Sequence, residues 1–343
     1  MKKRVDVLLI YACIIILYVW FFPAVKSQNI HFSNLYLTHL TLNPANIGSF
    51  DGDLRAVAMY RAQGYNLGVP YQTFYTSFEK PFFPFDEQID VGIYYSHDDA
   101  GEYNFPAHYL FANIAKRVSV TRTVAITAGL QIGYVSKSFN SLNETYPDQY
   151  SRETGSFDRN LPTAEQFDIN TSSNVSAGMG FLVTKTFSES VLNVGYSAQN
   201  LNKPSETFFG EENQTDVRNV FHTKFEYSIS EFIFTTPAFV LVAQGKSRQT
   251  LIGSNVGYRI NANKSIRNIQ GGLFLRNGIL NNFESIIFGF GIDFSKWKFF
   301  SSYDFDISGL KSNYSANTGI EFGLVYILPN SSLREIIHPT ERF

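Results

Sequence analysis

The sequence has one cysteine in 343 residues, Cys13, and it lies inside an N-terminal apolar stretch. A mature chain lacking that stretch has no disulfide to form, which suits an envelope protein in an oxidising compartment. Beyond the N-terminus no apolar run approaches the length of about 18 residues that a membrane-crossing helix needs, so helical spans are excluded. Charge of one sign is also missing. The net charge is −2 and evenly spread, so nothing argues for nucleic-acid binding. There is no His-Glu-x-x-His string, no glycine-rich phosphate loop followed by Lys-Ser/Thr and no cysteine pair. The expectation is therefore no catalytic residue, no cofactor and no metal.

The chain does have aromatics, 33 Phe and 20 Tyr against 12 Pro, and a repeating alternation. It is clearest from Arg122 to Phe139. Val124, Ile126, Ala128, Leu130, Ile132 and Tyr134 fall on one face; Thr123, Ala125, Thr127, Gly129, Gln131 and Gly133 fall on the other. A period of two is a β-strand with an apolar side and a small, polar side. The small side is glycine-rich and the apolar side ends in a tyrosine. This fits a membrane barrel, with lipid outside, a curved wall inside and aromatics at the interface.

About 14 segments carry the pattern. They are Asp53–Gln63, Val69–Lys80, Gln88–Ser96, Phe105–Ser119, Arg122–Phe139, Gln166–Lys185, Val191–Asn200 and Val217–Ile229, then Phe232–Gln244, Thr250–Ile260, Arg267–Arg276, Phe283–Ser295, Lys296–Ile307 and Asn317–Leu328. The longest connections, near Asn140–Glu165 and Leu201–Asp216, are both odd-numbered, whereas the even-numbered links near Val120–Thr121 and Ser295–Lys296 are tight. Long loops on one side and short turns on the other are the habit of outer-membrane barrels. A soluble sandwich has no reason for that parity. The expected fold is all-β: a transmembrane antiparallel up-and-down β-barrel of about 14 strands over residues 53–328.

The ends read differently. Lys2, Lys3 and Arg4 precede an apolar stretch from Val7 to Phe22, and Val25-Lys26-Ser27 closes it. Residues 1–27 read as a secretory signal peptide cut after Ser27, with an uncleaved anchor as the alternative. Residues 28–52 do not alternate, and Asn43-Pro44 with Gly48 ends them in turns. They form either a short amphipathic helix and loop entering the first strand or a segment tucked into the barrel mouth. Residues 329–343, with Pro329 and Pro339, read as an extended periplasmic tail.

Several strings invite a chemical reading. Ser77-Phe78-Glu79-Lys80 matches Ser-x-x-Lys but sits in an alternating strand beside Pro81, not at a helix start. Asp98, Asp99 and Glu102 around Gly101 are oxygen donors of the kind a divalent cation takes, although solvated loop acids are the plainer account. Asp293, Asp304 and Asp306 share a lumen-facing register with Glu321, where pairing with Arg or Lys of neighbouring strands is expected. The six histidines (31, 39, 97, 108, 222, 338) have no ligand spacing. His97 falls by an external strand end and His222 by an internal one, neither with an evident Ser-acid partner.

The chain resembles the PorP/SprF family of outer-membrane proteins over nearly its whole mature length. The similar blocks are Gln28-Asn29-Ile30-His31-Phe32-Ser33 leading to Leu42-Asn43-Pro44-Ala45-Asn46-Ile47-Gly48-Ser49; Val91-Gly92-Ile93 through Asp98-Asp99-Ala100-Gly101; and Gly129-Leu130-Gln131-Ile132-Gly133-Tyr134. Gly195-Tyr196-Ser197 with Leu201-Asn202-Lys203-Pro204 adds a fourth, and Ser302 to Leu310 followed by Gly319-Ile320-Glu321-Phe322 is the most specific. Two departures stand out: Gln199-Asn200 where relatives often carry His, and a terminal Thr340-Glu341-Arg342-Phe343 that keeps only Arg-Phe of the usual Cys-Pro-Arg-Phe. The resemblance implies a non-enzymatic role in type IX secretion and gliding motility. The implied partners are the translocon, periplasmic lipoproteins and a secreted adhesin-like protein with a C-terminal sorting domain, besides outer-membrane lipid.

Three functions follow from these readings. The first is a secretion-linked barrel whose external loops receive a secreted protein, with Tyr146, Asp148, Tyr150, Phe157, Phe208, Phe209 and Glu211 as the expected partner-binding residues. The second is a general porin or hydrophobic-solute channel, against which the small, glycine-rich inner face with few charges argues for a narrow or plugged lumen. The third is a membrane-embedded enzyme, which needs Ser, His and an acid to meet at one rim.

Overall fold

The computed structural model describes residues 32–329 apart from 65–69, 85–86, 100–104, 141–144, 159, 163, 165–168, 209–212, 261–264, 279–282 and 308–317. The expected signal peptide, most of the tail, Phe209, Glu211 and Glu102 lie outside the described residues. The strands are β1 (Leu54–Gln63), β2 (Tyr71–Phe82), β3 (Ile89–Asp99), β4 (Pro106–Ser119), β5 (Val124–Asn140), β6 (Tyr150–Ser151), β7 (Ser156–Phe157) and β8 (Ile169–Thr186). They continue as β9 (Ser190–Gln199), β10 (Arg218–Ser228), β11 (Ile233–Gln244), β12 (Ser247–Arg259), β13 (Ile266–Gly278), β14 (Phe283–Phe294), β15 (Trp297–Asp306) and β16 (Gly319–Leu328).

All except β6 and β7 form one closed antiparallel barrel of 14 strands in chain order, sealed where β1 pairs with β16 from Leu54↔Leu328 to Gln63↔Gly319. Closure leaves no unpaired strand edge, the condition a sheet must meet to cross lipid. Each of the 14 alternating segments of the sequence corresponds to one of these strands.

Burial decides which face meets which solvent. On β5, Leu130 and Ile132 are each 60% exposed while Thr127 and Gln131 are buried. Phe288, Phe290 and Phe294 on β14 and Phe322 on β16 are likewise exposed, with Asp293 and Glu321 buried between them. This is a soluble core turned inside out. The outer rows are greasy because their solvent is hydrocarbon, and the polar rows face a filled lumen.

β1 begins and β16 finishes at the end of the barrel that carries links 83–88, 120–123, 187–189, 229–232, 260–265 and 295–296; loops 141–168, 200–217 and 307–318 lie at the other. The long-loop end is external. The parity is less strict than the sequence suggests, because the external side also holds the two-residue turn 245–246, built on Gly245 with φ 54°.

The inner wall is not uniform. On β5, β8 and β9 it is small and glycine-rich, as expected, but elsewhere Arg55, Arg61, Glu79, Asp90, Arg276, Asp304 and Glu321 are all buried on the lumen side. The expectation of few internal charges is therefore corrected. Alternation shows which residues face inward, whereas the need for charge depends on what fills the space.

Candidate functional site

The lumen is filled by the chain's own residues 32–50. Phe32, Leu35, Leu37, Leu40, Leu42, Ile47 and Phe50 are buried against wall residues that include Tyr75, Tyr94, Phe111 and Val220. The segment contains one helical turn, α1 (His39–Leu42), and one 3-10 turn, Pro44–Asn46, whose first residue is proline. Asn43 caps that turn, its Oδ1 accepting the Ala45 N–H at 2.8 Å. Of the two readings of this segment, the helix-and-loop description fits its local form and the tucked segment its position, which is within the barrel itself.

Bare backbone makes the seat. A Cβ built on Gly129 would lie 2.5 Å from Ala45 N, and one on Gly180 would lie 2.0 Å from Asn43 Oδ1. Asn43 Nδ2 donates to the carbonyls of Phe181 at 3.0 Å and Tyr196 at 3.3 Å, across the β8–β9 pair. The Asn43-Pro44-Ala45-Asn46 turn and the glycine-containing β5 and β9 blocks, far apart in sequence, are thus the two halves of one contact.

Two ionic clusters hold the ends of the segment. Toward the external ends of β1, β13, β15 and β16, Arg61 bridges Asp304 at 3.0 Å and Glu321 at 2.5 Å, and Arg276 also pairs with Asp304. Ser33 closes this cluster: its N–H donates to Glu321 Oε1 at 2.5 Å and its hydroxyl to Asp304 Oδ2 at 2.5 Å. Toward the periplasmic end, Glu79 receives Arg55 through both carboxylate oxygens at 3.0 Å and His39 Nε2 at 2.8 Å, and it accepts the Gly48 N–H at 3.2 Å. Buried charges of this kind hold position because removing one member leaves the others unpaired in a dry site.

The segment divides the interior. Below it, Tyr36, Lys224, Glu226, Phe234, Asp293 and Phe300 border a cavity of about 380 Å³ toward the periplasm. Above it, Thr41, Tyr94, Tyr109, Gln199 and Arg218 border one of about 120 Å³ toward the outside.

The external loop 141–168 has structure of its own. Tyr146, Asp148, Tyr150 and Phe157 gather around the 3-10 turn Pro147–Gln149 and the β6–β7 hairpin, with the Tyr150 and Phe157 rings edge-on at 5.3 Å. Gln149 is fully buried beneath them, accepting the Tyr146 N–H at 3.1 Å and donating to the Leu161 carbonyl at 3.0 Å. Asp148 Oδ2 accepts the Ala164 N–H at 2.8 Å, so it serves the loop's own fold. Phe208 belongs to the next long loop, where its ring lies 5.4 Å from that of Phe105.

The model of the type IX secretion system membrane protein PorP/SprF family matches residues 24–325. The chain belongs to that family. No curated protein matches. Among solved structures, the PorP/SprF barrel is similar to the TodX monoaromatic hydrocarbon channel ΔS2 mutant, at 11% identity and TM-score 0.51, with 84% of this chain and 93% of that one covered. The CymD monoaromatic hydrocarbon channel gives 9% identity and TM-score 0.51, covering 86% and 94%. At such identities the likeness is one of fold alone. The barrel fold and the family together indicate the outer membrane, and the family alone indicates a secretion system.

The other expected sites resolve individually. Ser77 and Lys80 point to opposite faces of β2, Ser77 buried in the lumen and Lys80 outside over the Phe82 ring at 5.6 Å, so they share no chemistry. Asp98 accepts the Thr73 hydroxyl at 2.6 Å, and among the described residues no three His, Cys, Asp or Glu side chains converge as metal ligands would. His222 does not lie at an internal strand end. It is buried midway along β10, against Asn43 at 3.1 Å. Sequence reading missed Ser33, Asn43, Arg55 and Arg61 as the residues that fix the lumen segment, although the blocks that resemble the family contain Ser33 and Asn43.

Proposed function

We propose that this PorP/SprF barrel is a non-enzymatic outer-membrane receptor of the type IX system. In this role it binds an adhesin-like secreted protein, through that protein's C-terminal sorting domain, for export or surface attachment. Its periplasmic side meets translocon and lipoprotein partners. The observation that carries this reading is that residues 32–50 occupy the lumen while an aromatic-bearing loop is folded on the external face. A barrel filled by its own chain works through its surfaces rather than as an open pore. On this reading the leader is cut after Ser27, the gliding machinery is among the systems served, and Tyr146, Asp148, Tyr150, Phe157, Phe208, Phe209 and Glu211 belong to the receiving surface.

The test is photo-crosslinking in cells from a benzoylphenylalanine at position 150 or 157, combined with the secretome of a deletion strain. A crosslinked surface protein that disappears from the deletion strain's surface is the expected result. Recovery of neither a secreted protein nor a secretion component would end the reading. One observation favours a second reading, a hydrophobic-solute channel: the cavity of about 380 Å³ below the plug, in a barrel whose fold neighbours are named as hydrocarbon channels. That reading requires solute uptake or conductance by the wild-type barrel in planar bilayers.

A further inference from the structure

The cavity above the plug holds an arginine that the plug does not account for. Arg218, the first residue of β10, is 8% exposed. Its Nη1 donates to the Thr41 carbonyl at 2.9 Å and to Gln199 Oε1 at 2.8 Å, while its Nε has no hydrogen-bond partner. Three other buried arginines of the wall set a contrast. Arg55 is matched by Glu79, and Arg61 and Arg276 by Asp304 and Glu321. Among the described residues no carboxylate forms a salt bridge with Arg218, and the nearby acid Glu206 is already engaged by Lys137 at 2.6 Å. A guanidinium buried without an anion is destabilising unless a counter-charge arrives.

The surroundings define that counter-charge. Gln199 and Gln244, the last residues of β9 and β11, border the cavity beside Arg218, so it lies at the external rim. Thr41 floors it, which makes it a dead end. Tyr94 and Phe111, stacked at 5.0 Å, and Tyr109 supply an apolar wall. About 120 Å³ is room for a carboxylate and a small part of what bears it.

We propose that this pit captures the C-terminal carboxylate of an extracellular polypeptide. Arg218 is the charge partner and the aromatic wall receives an apolar last residue. A blind pit of this size admits a chain end more readily than the middle of a chain, and carboxylate capture by a forked donor is an established mode of terminus recognition. The proposal rests on the reading that the external face receives a secreted protein, and it names the part of that protein which is held.

The test uses the full-length barrel in detergent and fluorescein-labelled Gly-Ser-Gly-Ser-Ala with a free carboxylate, read by anisotropy. Binding by the free acid is expected, with at least tenfold weaker binding of the C-terminal amide. Arg218→Gln, which removes the charge and keeps a polar side chain, should lose binding at least tenfold, and Arg218→Lys should recover part of it. Heat-modifiable gel migration confirms that each variant is folded. Equal binding of acid and amide, no binding by the wild type, or equal competition by glucuronate, a sugar acid, would each overturn the proposal. Failure here with intact crosslinks from positions 150 and 157 removes the pit and leaves the receptor reading standing. Binding without crosslinks does the reverse.

Discussion

Asn43 Nδ2 lies 3.1 Å from His222 Nε2, and both side chains occupy space that a Cβ on Gly195 would take, His222 Nε2 at 2.2 Å and Asn43 Nδ2 at 2.9 Å from it. The plug is therefore fitted to the wall by shape, on a patch where Gly129, Gly180 and Gly195 leave it room, and anchored by charge elsewhere. The two kinds of contact make separable predictions.

Crowding the glycine patch should lift the plug without touching a charge. Gly180→Val places atoms where Asn43 Oδ1 now sits, 2.0 Å from the Cβ position, and Gly129→Val does the same to the Ala45 backbone. Either variant should conduct in planar bilayers, over a closed wild-type baseline, and should sensitise cells to a bulky antibiotic. Gly289→Ala is the control, since nothing lies within 4 Å of its Cβ position. A silent Gly180→Val would mean that the seat does not hold the plug.

Breaking the external ionic cluster should cost stability. Asp304→Ala leaves Arg61 and Arg276 buried with Glu321 alone to balance them, a change worth about 3–5 kcal/mol. Urea unfolding in detergent should show the loss. The double variant Asp304→Ala with Arg276→Met should be less destabilised than the two singles added together, because the residues share one site. Strict additivity would argue that they do not interact.

The barrel was legible in the sequence because its information is local. A period of two, a tyrosine at the strand end and the parity of loop lengths can all be read without knowing any contact. The plug was legible only as a segment, residues 28–52, that failed to alternate. Its seat was not, because Gly129, Gly180 and Gly195 read as ordinary small inner residues until the Asn43-Pro44 turn is placed on them. The partners of Asp304 and Glu321 were expected to be cations of neighbouring strands. Arg61 of β1 meets that for Glu321 on adjoining β16, whereas Asp304 on β15 is reached across an intervening strand by Arg61 and by Arg276 of β13, and Ser33 comes from the plug. The small β6–β7 hairpin within loop 141–168 gave no periodic signal, being two residues per strand.

Which face meets lipid can be tested directly. Leu130→Arg puts a charge on an outer residue that is 60% exposed and should cost about 2–4 kcal/mol if the site lies near the bilayer midplane. Ser136→Arg, at an outer position near the external end of the same strand, should cost about 0–1 kcal/mol by the same depth rule. Equal tolerance of both in refolding into liposomes would contradict the assigned depth and face.

The external loop should fail as a unit, and Gln149 is the residue that shows it. The side chain is fully buried and joins the Tyr146 N–H to the Leu161 carbonyl, two points on either side of the β6–β7 hairpin. Gln149→Ala removes both bonds beneath the loop, a cost of about 1–3 kcal/mol. Because no barrel strand contributes to these bonds, the cost falls on local opening rather than on global unfolding. Protease nicking within the Arg152–Gly155 turn should rise severalfold, with the urea midpoint of the barrel unchanged. Crosslinking of a secreted partner from position 157 should fall with it. Tyr150→Ala removes a ring and leaves the Gln149 bonds in place, so it should weaken partner capture while leaving the nicking rate near that of wild type. If Gln149→Ala were nicked no faster than Tyr150→Ala, the loop's order would have to come from its ring contacts instead.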